Sequence, residues 1–108
     1  MADVTLIKRW KVTEVLLKRA HKALPSPEHE EKEHFHALEK EFFDFLDHNE
    51  HELALDMLQE LGDMLQPRGG FWKDLVRASE NMELSNRVPY FDKKYDDALS
   101  LLKETNPS

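Results

Sequence analysis

Apolar residues recur along this chain at spacings of three and four, the period of helices packed on one side. Between residues 4 and 24 the stripe is Leu6, Trp10, Thr13, Leu17, Ala20 and Leu24, and Pro25 stops it because proline has no N–H to continue the ladder. Ser26-Pro27 predicts the next start: a serine oxygen accepts a free N–H of the first turn, and proline's fixed φ suits that turn. The second helix should run from 27 to about 48, with Phe35, Leu38, Phe42, Phe45 and Leu46 inward. Asn49, with Glu52 three residues on, reads as a capping box that opens a third helix. Its inner face is Leu53, Ala54, Met57, Leu58, Leu61 and Leu65, and Pro67-Arg68-Gly69-Gly70 ends it. Phe71, Trp72, Leu75, Val76, Ser79 and Met82 mark a fourth helix. After a loop over 85–89, Phe91, Tyr95, Ala98, Leu99 and Leu102 mark a fifth. No alternating β-branched run argues for a strand. The expectation is an all-α fold, a compact bundle of four to five short helices in one domain over 1–108, with a frayed tail at 105–108.

Charge changes this picture because it is unevenly distributed. The net is −7, but residues 1–27 carry six Lys/Arg against two acids, while residues 28–63 carry 13 Asp/Glu against Lys32 and Lys40. Residues 64–108 balance at seven of each. The basic first helix can cover part of the acidic middle; the remainder faces solvent or a cationic partner. So acidic a chain is a poor fit to nucleic-acid binding, which needs a positive surface. The absence of Cys excludes disulfides, thiolate metal sites and a thiol nucleophile. No apolar run approaches the roughly 20 residues of a bilayer span, and no basic-then-apolar leader opens the chain, so the expectation is a cytoplasmic protein with no membrane partner.

The candidate chemistry is sparse. Five of six histidines fall between His29 and His51, and Glu30/His34 and Glu33/His36 share helical faces. Glu33-x-x-His36 is half of a di-metal bundle motif, but no second copy exists on another helix, and His29 and His34 are five apart rather than four as in a zinc-protease pair. No metal site is expected. None of the four serines lies in a nucleophile elbow, and Gly69-Gly70 without a phosphate-loop pattern reads as a turn before a helix.

Two resemblances bear on function. Glu60-Leu61-Gly62-Asp63 resembles the second acidic motif of the MazG-type all-α nucleotide pyrophosphohydrolases, in which Glu-x-x-Asp binds Mg²⁺ together with an upstream Glu-x-x-Glu. That resemblance implies a Mg²⁺-dependent pyrophosphohydrolase, but the upstream pairs here, Glu28/Glu31 and Glu30/Glu33, stand in a polar setting with nothing to aim them inward. A longer stretch over residues 45–58, with Glu50 and Leu53-Ala54-Leu55 after the Asn49 hinge, resembles the MafI-type immunity proteins of bacterial polymorphic-toxin systems. Residues 71–75 and 78–84 are similar to that family's downstream helix. This resemblance implies a small helical protein that binds and neutralises a cognate toxin; it carries no catalytic motif.

Physics and resemblance meet at the acidic middle. Toxins of such systems are often nucleases with basic substrate surfaces, which carboxylates on a rigid scaffold can cover. The solvent-side candidates are Glu31, Glu39, Glu41, Asp44 and Asp47 on the second helix and Glu52, Asp56, Glu60 and Asp63 on the third, with Phe43 as an aromatic anchor. The binding set is Glu41, Phe43, Asp44, Asp47, Glu52, Asp56, Glu60 and Asp63, with Phe43 or the Phe71-Trp72 pair leading if an apolar face binds instead. The expected protein is a non-enzymatic immunity protein without cofactors, its partner a basic toxin domain. The alternatives are the pyrophosphohydrolase and a generic helical interaction module.

Overall fold

A computed structural model of the chain describes residues 4–105, all-α throughout, with no strand among them. Helix α1 (Val4–Lys22) leads to a 3-10 turn (His29–Glu31) and α2 (Lys32–Asp47); α3 (His51–Leu65), α4 (Gly69–Asn81), a second 3-10 turn (Ser85–Arg87) and α5 (Val88–Thr105) follow. Helices α2 and α3 form a hairpin, and α4 lies between α1 and α5. The molecule measures 55 × 32 × 20 Å. Thr105 closes α5; the rest of the expected frayed tail, the first three residues and the Leu6 side chain lie outside what is described.

One core joins the two groups: Leu17 and Ala20 of α1, Phe42 of α2, Leu55, Leu58 and Leu61 of α3, Phe71 and Leu75 of α4, and Phe91 of α5 are all buried. Most of the predicted stripes point inward, with four corrections. Trp10 and Leu53, expected inside, are each 43% exposed at the rim of an open groove, and Leu99 (37%) and Leu102 (53%) are exposed on α5. Leu55, not named in the predicted inner face, is fully buried, since α3 is covered on two sides, by α2 and by α1. The caps also differ. Glu28, not Ser26, precedes the first turn before α2, where its N–H donates to Glu31 Oε1 at 3.2 Å. Glu50, not Asn49, precedes α3, and no side-chain cap forms there. Asn49 instead ends α2 in the left-handed region (φ 58°), with its N–H on the Leu46 carbonyl (3.0 Å) and that of Glu50 on Phe45 (2.8 Å). That double closure is a Schellman motif, and asparagine tolerates the backbone well. Helix α4 ends identically, Glu83 to Glu80 (3.0 Å) and Leu84 to Ser79 (2.8 Å), but places Glu83 at φ 61°.

Candidate protein-binding surfaces

The acidic segment does not find its counter-charges on α1. Arg9 pairs with Glu83 (3.0 Å), Lys18 with Glu14 (2.8 Å) and Arg19 with Asp74 (2.6 and 3.0 Å), all outside residues 28–63. The Arg19–Asp74 contact is bidentate and seats a carboxylate that is only 6% exposed, a buried acid that sequence reasoning missed. Its sequence signal was weak: Asp74 falls on the same turn as Leu75 in a stripe otherwise apolar. Among the described residues of α1, the His21 imidazole makes a direct bond to the block, Nε2 to Glu39 Oε2 at 2.7 Å, with its ring stacked on Phe42, and Lys18 feels Asp47 through space. Glu39 is thereby half-buried rather than free on the surface, and Phe43 packs edge-on against the same ring (4.9 Å) while keeping 39% exposure.

The partners come instead from the far end of the chain. Arg87 binds Asp56 (2.8 Å) and Gln59 (2.8 Å), the Tyr90 hydroxyl donates to Asp63 (2.8 Å), and Lys94 Nζ lies 3.3 Å from Asp63. Burial first, then the bond to Asp63, raises the Tyr90 phenol's pKa. The predicted single acidic face is therefore two surfaces. Along α3, Asp56 is tied to the second 3-10 turn and Asp63 to α5; along α2, Glu41, Asp44 and Asp47 are exposed with no ion pair among the described residues, as are Glu52 and Glu60 at α3. Gly62 in the Glu60–Asp63 motif is fully enclosed by the Phe71 and Trp72 rings. No group of three or more His, Asp or Glu side chains that could hold a metal ion exists among the described residues, and no helix is long and apolar enough to cross a membrane. Phe71 (1% exposed) and Trp72 (3%) belong to the core, which removes them as an apolar docking face.

A further surface was not anticipated. A groove of about 520 Å³ opens where the first half of α1 meets the start of α3 and the α4–α5 connection. Its wall includes a polar clasp: Asn81 Nδ2 donates to the Arg9 carbonyl (2.7 Å) and to Thr13 Oγ1 (2.6 Å), and the Arg9 guanidinium returns a bond to the Asn81 carbonyl (3.0 Å). The exposed Trp10 ring and Leu53 flank it, as do Glu50, Glu52 and Glu83. His51 lines it too, 8% exposed, with Nε2 buried and unpartnered; burial lowers its pKa against the opposing pull of Glu14. Comparison of the chain with family models, curated proteins and solved structures finds no match.

Proposed function

We propose that this protein is a binding module for a basic protein partner and serves as an immunity protein that neutralises a toxin domain. One observation carries the first half: the Lys and Arg residues of α1 that form ion pairs do so outside the acidic segment, and only Asp56 and Asp63 of its 13 carboxylates are paired with Arg or Lys among the described residues. The remaining negative charge is held on rigid helices, where it steers a positive surface inward and is already ordered when contact is made. The immunity role rests on the resemblance over residues 45–58, 71–75 and 78–84 described above.

The test is co-expression with the C-terminal domain encoded by the adjacent upstream gene, scored as cell survival, followed by association kinetics. Survival supports the immunity role, and failure to protect removes it. The association rate should fall steeply with salt, because the screening length drops from about 10 Å at 0.1 M to about 3 Å at 1 M. Reversing Glu41, Asp44 and Asp47 together to Lys should slow association by about tenfold or more with little change in melting temperature, since exposed charges contribute little to folding. Asp56 is a poor target, because reversing it would also strand Arg87. An unchanged rate would refute the acidic-surface mechanism.

A further inference from the structure

We propose that the groove between α1, the start of α3 and the α4–α5 connection receives an arginine or lysine side chain of the basic partner, its cation lying on the Trp10 ring within reach of Glu50, Glu52 and Glu83. This rests on the reading above and gives it a specific anchor point. The groove's size lies within the range of sites that enclose a ligand group. It combines the two features that recognise an alkyl-linked cation: an uncovered aromatic face and surplus carboxylates. Trp10 lies in the apolar stripe of α1 yet remains 43% exposed, and Leu53, equally exposed, offers apolar surface for the methylene stem. The groove's own cation, Arg9, is already held by the Asn81 carbonyl and Glu83 at 3.0 Å each. Three carboxylates against that one guanidinium leave the groove negative, which disfavours an anionic or purely apolar guest.

His51 is the independent sign of a ligand. Its Nε2 is the single buried polar side-chain atom among the described residues that lacks a hydrogen-bond partner, and the ring belongs to the groove. Buried polar atoms are almost always satisfied, so such an exception calls for an explanation. With the ring proton on Nδ1, Nε2 offers a lone pair, and the N–H groups of an incoming guanidinium or ammonium satisfy it after a modest rotation about a soft torsion.

The experiment follows the two Trp indole N–H signals of the full chain by NMR during titration with the blocked dipeptide acetyl-Leu-Arg-amide. Acetyl-Leu-citrulline-amide, its uncharged isostere, is the control. The arginine peptide should shift the Trp10 signal and leave that of Trp72, which is buried, in place; citrulline should bind far more weakly. Trp10→Ala should weaken binding about fivefold. Glu83→Gly should also weaken it, while folding at least as well as wild type, because glycine relieves the positive φ at that position. Neutralising Glu41, Asp44 and Asp47 should leave the dipeptide's affinity unchanged. Equal binding of citrulline, or full affinity in both groove variants, overturns the inference. If the groove variants bind the toxin domain normally while the α2 variant does not, the groove proposal fails and the basic-partner reading stands. If the dipeptide binds as described but the chain neither protects nor binds the toxin domain, the functional reading fails and the groove assignment survives.

Discussion

Gly62 is the position where one added methyl group should do the most damage. A Cβ there would sit 2.5 Å from Phe71 Cε1 and 2.6 Å from Trp72 Cη2, about 1 Å inside the usual carbon–carbon contact of about 3.5 Å. Neither ring has room to retreat. Phe71 and Trp72 are 1% and 3% exposed, meet edge to face at 4.9 Å, and Trp72 stacks in turn on the fully buried Phe91. Over-packing of this kind costs about 3 kcal/mol, the upper end of the common range. Alanine returns about 1 kcal/mol through its better helix propensity, leaving a net loss of about 2 kcal/mol. For a domain of this size that lowers the melting temperature by roughly 8–16 °C. Gly70→Ala is the matched control, since nothing lies within 4 Å of its Cβ; it should melt at or slightly above the wild-type temperature. Thermal unfolding followed at 222 nm decides the matter. A Gly62→Ala protein that melts within about 2 °C of wild type would mean the aromatic layer is looser than described, and the reasoning would be wrong.

Three further outcomes are expected. Asn81→Ala removes the donor that reaches Thr13 Oγ1, a hydroxyl on a residue only 1% exposed, and should cost about 2 kcal/mol in denaturant unfolding; no loss would mean the α1–α4 clasp is not structural. Arg19→Met strips Asp74 of its bidentate partner and should lower the melting temperature, whereas Arg19→Met combined with Asp74→Leu should recover part of the loss; equal melting of single and double variants would contradict this. His51 has its folded pKa held below the unfolded value by burial, so the unfolded chain takes up the proton first and stability falls as pH drops below about 6.5. His48, raised by the Asp44 carbonyl, works in the opposite sense, so the comparison is His51→Leu against wild type: the variant should gain relative stability between pH 7 and 5, as read by urea unfolding, and a constant difference would refute the assignment.

What the sequence determined alone is the local part of the architecture. Pro25 and Pro67 punctuate the helices, and the stripes Phe35-Leu38-Phe42 and Leu58-Leu61 identify core-facing positions, because a helix repeats on a period that neighbouring residues already express. The 13 carboxylates of residues 28–63 were equally plain. Tertiary packing decided everything that depends on which element covers which. A stripe gives the direction of Trp10 and Leu53 but not whether packing covers them, and both stay 43% exposed at the groove. Charge partners were still less legible: Arg19 and Asp74 are 55 residues apart, and Tyr90 and Asp63 are 27 apart, so no spacing rule pairs them. The groove belongs to the same class. Trp10, His51 and Glu83 come from three distant segments, and they adjoin only because the core that seats α1 against α3 and α4 fixes where their ends meet.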